Sequence, residues 1–155
     1  MTATLEVVAH WDGGYRCHLP VRQFEIVVDE PPSAGGTDGG PMPTELFLAS
    51  LASCFTLSLY HAARKRSIEL PDLSVRVAGR YKGLRFEHIT VEASSSLPRE
   101  QLQALIEPAI RICYVSQTLK EQPEIAYVAS EASLPPPQAQ SPVTPPQTHS
   151  PLPPG

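Results

Sequence analysis

Pro43-Thr44-Glu45-Leu46-Phe47-Leu48-Ala49-Ser50-Leu51-Ala52-Ser53-Cys54-Phe55-Thr56-Leu57-Ser58-Leu59-Tyr60-His61-Ala62-Ala63-Arg64-Lys65-Arg66 is the stretch that decides the fold. It reads as one long helix from about Thr44 to Arg66. Pro43 stands at its start, where a missing N–H costs little. Glu45 lies in the first turn and His61, Arg64, Lys65 and Arg66 crowd the last, both favoured by the helix dipole. Between these ends Leu46, Phe47, Leu48, Ala49, Leu51, Ala52, Phe55, Leu57 and Leu59 leave almost no polar face. A helix apolar on most sides is a buried helix. This one is expected to run through the middle of the fold, or of a dimer.

The chain before it reads as strands. Thr4 to Trp11 is rich in β-formers, Asp12-Gly13-Gly14 is a hairpin signal, and Tyr15 to Leu19 returns. Gln23 to Val28 alternates Phe24, Ile26 and Val28 with polar neighbours. A loop rich in Pro and Gly, Pro31 to Pro43, then leads into the helix. It lacks the P-loop pattern and reads as a mobile connection. After the helix, Leu73 to Tyr81 and Leu84 to Ala93 form two more strands across a Lys82-Gly83 turn. A helix follows from Pro98 to about Ile112, then a short helical piece beginning at Cys113 and ended by Pro123, then a last strand, Ile125 to Ala129. The order βββ-α-ββ-αα-β is α+β with antiparallel pairing, since no βαβ alternation occurs.

The 155 residues suit one domain. Nine of the 18 prolines fall between Leu134 and Gly155. Such a segment cannot form ladders or bury a core, so residues 133–155 are expected to be a Pro-rich tail and residues 1–132 the folded domain. A tail that recruits SH3-like modules is the adaptor reading of the same composition. The net charge of -4 and the lack of a basic run argue against nucleic-acid binding. No signal segment is evident, and no stretch approaches the roughly 20 apolar residues of a membrane span. The expectation is therefore a cytoplasmic protein, with no membrane and no nucleic acid among its partners. Cys17, Cys54 and Cys113 are an odd number without a CxxC pair, unlike a secreted disulfide framework.

Residues three, four and seven apart share a helix face. Ser50, Cys54, Ser58 and His61 therefore form the one polar stripe on the long helix. A bland reading is available, because small polar side chains on buried helices bond back to carbonyls and buried cysteines are mostly inert. Cys113 falls at a helix break with Arg111 nearby, a setting that favours thiolates. Cys17 alternates with Arg16 and His18 and reads as a packed strand thiol. The five histidines show no zinc-ligand spacing, and neither metal nor cofactor is called for.

Two segments together resemble the OsmC/Ohr family of thiol peroxidases. Gly39 to Phe55 is similar to the family's P-x-E-L-L-x-A-x-x-x-x-C signature, and Cys113-Tyr114-Val115-Ser116-Gln117-Thr118-Leu119 resembles its C-P-V-S-x-T-L segment. The resemblance spans about residues 4 to 130. It implies an intertwined homodimer in which antiparallel sheets wrap the central helices. It further implies that Cys54 attacks a hydroperoxide, that Cys113 resolves the resulting sulfenic acid as a disulfide, and that a dithiol or lipoyl-type reductant restores both thiols. An arginine of the N-terminal sheet would activate Cys54, here Arg16 or, as an alternative, Arg22. An orienting glutamate lies ten residues before the cysteine in the organic-hydroperoxide branch, where this chain has Thr44. Glu45 is nine before, as in the broader OsmC-like branch. Nine residues is half a turn out of phase on a straight helix, so Glu45 reaches the site only through a bent helix start or from a partner subunit. Tyr114 stands where the family has proline. The alternative reading is a small-ligand-binding or stress protein on the same scaffold.

Overall fold

The computed structural model describes residues 4–131. The tail expected from residue 133 lies outside them. The element order is β1 (His10–Gly13), β2 (Arg16–Val21), β3 (Phe24–Val28), a 3-10 turn (Pro32–Ala34), α1 (Pro43–Arg64), β4 (Ser74–Lys82), β5 (Arg85–Ser94), α2 (Arg99–Ile112) and α3 (Tyr114–Glu121). The contacts group into two units, one running to Gly40 and taking in the chain from Ala129, the other Pro41–Val128. The fold is α+β, with antiparallel sheets and a long helix, as expected.

In the first unit β1, β2 and β3 form one antiparallel sheet in that order. The first strand is shorter than the run of β-formers from Thr4 suggests. His10 pairs with His18. Continuing that register would set Val8 opposite Pro20, which has no N–H for a ladder.

The Pro/Gly loop is not the loose connection its composition suggests. Asp29, only 1% exposed, sits at its centre. Its carboxylate accepts hydrogen bonds from the N–H groups of Glu30 (2.8 Å), Thr37 (3.1 Å) and Gly39 (3.0 Å) and from the Thr37 hydroxyl (2.5 Å). The glycines are needed for closeness: a Cβ on Gly36 would run into the Glu30 carbonyl, and one on Gly40 into that of Val27. The Thr37 hydroxyl, with the Gly39, Glu30 and Thr37 N–H groups, holds the Asp29 carboxyl down to about 2, against the opposing effect of its burial.

In the second unit β4 and β5 form an antiparallel pair, Ser74 opposite Ser94 through Lys82 opposite Arg85. α1 packs on β4, α2 and α3. Leu51, Phe55, Leu59, Ala62 and Ala63 of α1 share a core with Leu105, Ala109 and Cys113. Leu59 and Leu105 are fully enclosed. Among the described residues α1 is not buried on all sides. Leu57 (67%), Tyr60 (56%) and Phe47 (38%) remain exposed, because α2, α3 and β4 cover one face only. The helix is also long and apolar enough to cross a membrane, contrary to the sequence expectation, since its Ala, Ser and Thr add little polarity and its charges lie at the ends. Its buried stripe is used as a core.

The expected strand at Ile125 to Ala129 does not form. Ile125, Tyr127 and Val128 are 67%, 91% and 92% exposed, and among the described residues no strand pairs with them. β-formers without a cross-strand partner do not make a strand.

Two outcomes follow from this packing. Leu59→Ala should lower unfolding stability by about 2–5 kcal/mol in chemical denaturation, from lost transfer energy and the cavity left. Asp29 has a folded pKa below its unfolded one, so its contribution is present above the ordinary carboxyl range and is lost as pH falls through about 2. The Thr37 and Gly39 amide resonances should shift over that range in wild type, and Asp29→Asn should abolish the shift.

Candidate active site

Cys54 lies on α1 between Leu51 and Ser58, half-buried against the core. The polar stripe largely bonds back to the helix, as the bland reading expected. Ser58 donates to the Cys54 carbonyl (2.8 Å) and Ser50 to that of Phe47 (2.7 Å). His61 is exposed. What separates Cys54 from an inert core thiol is its neighbour.

Cys113 is the single residue between α2 and α3. It is extended (φ -81°, ψ 103°) and has no exposed surface. Its N–H donates to the Ile110 carbonyl (3.3 Å), and its carbonyl accepts from the Gln117 N–H (3.0 Å). The Gln117 side chain crosses the break and donates to Ile110 at 2.6 Å, which ties the two helices together. Cys113 belongs to the core that Cys54 packs against, and each thiol acts on the other's proton affinity. Both are free thiols.

The two sulfurs have unequal surroundings. Burial pushes the Cys54 thiol up, the N–H groups of Val115 and Tyr114 draw it back, and a charge on Cys113 raises it further. Burial also acts on Cys113, but the Ser116 hydroxyl and N–H and the Cys54 thiol outweigh it and hold Cys113 below its ordinary value. Ser116 does this without closing a side-chain cap on α3. Ser58 lies beside Cys113 as well, but its one hydrogen is committed to the Cys54 carbonyl, so Ser116 is the donor that matters. Two thiols this close titrate as a pair: the first proton leaves more easily than the second.

The other sequence candidates are placed as follows. Arg111 does not attend Cys113; its guanidinium lies 3.7 Å from Glu107, one turn back. Glu45 accepts a hydrogen bond from the Met42 N–H (2.9 Å) and so caps the start of its own helix. Thr44 accepts one from the Tyr81 hydroxyl (3.0 Å). Arg16 opens β2 in the first unit, with a guanidinium nitrogen close against Gly39 of the Asp29 loop. Arg22 occupies the β2–β3 turn (φ 55°) and lies 5.4 Å over the Phe24 ring. Cys17 is half-buried on β2 between Trp11 and Val28, as a packed strand thiol should be. Sequence reading missed Ser116 and the two α3 amides. The cue was present in Cys113-Tyr114-Val115-Ser116, where a helix restarts directly after a cysteine.

Between α1, β5 and α3 lies a hollow of about 330 Å³ lined by Leu51, Phe86, Glu87, His88, Ile89, Val91, Ser116 and Leu119, with neither cysteine in its lining. The arrangement offers one partly exposed sulfur and one enclosed sulfur.

The family model described as OsmC-like protein matches residues 36–128, which contain both cysteines. The chain belongs to the OsmC-like family. Solved structures agree in fold. An organic hydroperoxide resistance protein OsmC from Legionella pneumophila, also described as a predicted redox protein, is 24% identical with a TM-score of 0.60, covering 77% of this chain and 92% of that one. The organic hydroperoxide resistance protein OhrB of Bacillus subtilis is 24% identical, TM-score 0.54, over 77% and 93% of the two chains. An organic hydroperoxide resistance protein from Vibrio cholerae, with captopril in one active site, is 21% identical, TM-score 0.56, over 79% and 89%. No curated protein sequence matches the chain. Among the described residues no cluster of three or more His, Cys, Asp or Glu is placed to hold a metal.

Replacing Cys113 by serine removes the charge that raises Cys54. The pH profile of Cys54 alkylation by iodoacetamide, followed by peptide mass spectrometry, should then move to lower pH. In the wild-type native protein Cys54 should be modified before the enclosed Cys113.

Proposed function

We propose that this OsmC-like protein acts in defence against peroxide stress as a thiol peroxidase, with Cys54 as the attacking sulfur. The observation that carries the reading is the pairing of a partly exposed Cys54 with a fully enclosed Cys113. A hydroperoxide can reach the first sulfur and not the second. The Cys54 thiolate takes the terminal oxygen of ROOH, breaking the O–O bond. The leaving alkoxide takes up a proton as ROH, and Cys54 becomes a sulfenic acid. Cys113 then attacks that sulfur, a disulfide forms and water leaves. A dithiol of the lipoyl type returns both thiols and is itself oxidised to a disulfide. Organic or inorganic hydroperoxides fit this chemistry, and no cofactor takes part.

Arg16 is the proposed activating cation and Glu45 its orienting carboxylate. The capping bond of Glu45 suits a residue held rigidly at the start of α1. A homodimer is part of the proposal. The exposed stripe of Leu57 and Tyr60, with small Ala49 and Ser53 beside them, is a surface that a second copy of α1 would cover. The folded domain is taken as residues 1–132 with a Pro-rich tail beyond, and the location as the cytoplasm.

The alternative is a ligand-binding or stress protein of the same fold without efficient turnover, favoured by Thr44, which is engaged by Tyr81 and carries no carboxylate. A coupled assay with cumene hydroperoxide and a dithiol separates the two. Wild type should turn over and Cys54→Ser should lose at least about a hundredfold, the scale on which an essential nucleophile acts. Peroxide treatment should leave one free thiol of three. Absent turnover with three thiols retained would select the binding reading.

A further inference from the structure

We propose that Asp29 is the positioning residue of Arg16: it holds the guanidinium in place from behind Gly39 and leaves the Arg16 N–H donors free. Cys17 pairs with Val28, so the next step of the β2–β3 register sets Arg16 opposite Asp29. Opposite charges that face each other across two strands attract. A Cβ on Gly39 would lie 2.9 Å from Arg16 Nη1 and 3.2 Å from Asp29 Oδ2. The two groups are therefore at most about 6 Å apart, a separation at which opposite charges favour one another. They form no direct ion pair. Among the described residues the Arg16 guanidinium enters no hydrogen bond or ion pair at all. The carboxylate is occupied elsewhere. Its four donors match the roughly four lone-pair sites of a carboxylate. Oδ2, the oxygen nearer Gly39, takes three of them, from the Thr37 N–H, the Thr37 hydroxyl and the Gly39 N–H.

The division of labour follows from this geometry. A carboxylate bound directly to a guanidinium uses up the fork of N–H donors. Here the charge of Asp29 reaches Arg16 while its lone pairs do not. Asp29 is 1% exposed and its carboxyl is held down at about 2, so the charge persists at every ordinary pH. Arg16 itself is exposed. The loop behind it is fixed, because Gly36 and Gly40 lie against the Glu30 and Val27 carbonyls. Tyr15, the residue before Arg16, has its ring edge 3.0 Å from where a Cβ on Gly35 would lie. Consecutive side chains thus run along the loop at Gly35 and Gly39. Glu45, the other carboxylate assigned to Arg16, caps its own helix. The inference deepens the peroxidase reading, in which Arg16 is the activating cation, and rests on it for its purpose but not for its test.

The order parameter of the Arg16 Nε–Hε bond, from nitrogen-15 relaxation on the full chain, tests it, with Arg16→Lys identifying the resonance. In wild type the value should exceed about 0.6, the level below which a group counts as flexible. Asp29→Asn should drop it below that level. That variant removes the charge and also weakens the loop, so a second one is needed. Gly39→Ala keeps the carboxylate and all four of its donors, and Gly39 lies outside the left-handed region, so the backbone accepts alanine. Its Cβ would displace the guanidinium, and the order parameter should fall in this variant as well. Thr37→Val removes one loop donor and leaves the Asp29 charge, and should keep the wild-type value. A flexible Arg16 in wild type would overturn the proposal. So would an ordered Arg16 in either Asp29→Asn or Gly39→Ala, or a release in Thr37→Val, which would make loop order rather than charge the cause. No peroxide enters the experiment, so its outcome is independent of the turnover assay.

Discussion

The burial of one face of α1 is the constraint on which the rest of the second unit depends. Leu51, Phe55, Leu59 and Ala62 must leave water, and α2, α3 and β4 are the surfaces that receive them. Each fully buried large side chain contributes roughly 1.5–3 kcal/mol against a net folding stability of only about 5–15 kcal/mol. The helix cannot rotate without exposing that stripe. Its rotation fixes where Cys54 points, and the same packing brings the α2–α3 break against it. Cys113 is itself a fully enclosed member of this core, so the chemical pair and the hydrophobic core are one structure.

The break between α2 and α3 supplies what the core alone does not. An unbroken helix would spend the amides of residues 114 to 116 on its own carbonyls. With Cys113 extended, those amides are released, and they act on the proton affinity of the two sulfurs. Gln117 compensates part of the cost of the break by bonding to the Ile110 carbonyl. The first unit shows the same economy. One carboxylate, Asp29, gathers three amides and a hydroxyl, and the glycines around it allow the backbone to come close.

Where sequence reading and structure part company, the reason is in each case a partner that sequence does not display. Thr4 to Ala9 and Ile125 to Ala129 have the side chains of strands but no facing ladder. The Gly-rich loop has the composition of a mobile segment but is organised around Asp29, whose role depends on amides as many as ten residues away. Arg111 is near Cys113 in sequence and turns to Glu107 in space. Glu45 matches a motif position and is used as a helix cap.

By itself the sequence determined most of the elements and the family signature. The apolar run in α1 with charges only at its ends, the alternation in β3, and the cysteine followed by a helix restart are local patterns, and local patterns survive without a fold. Tertiary structure alone decided that Cys54 packs against the core that encloses Cys113, and that, among the described residues, one side of α1 stays uncovered. Those facts depend on distances between residues far apart along the backbone. Such distances are set by which apolar surfaces pack together, and no spacing along the chain records them.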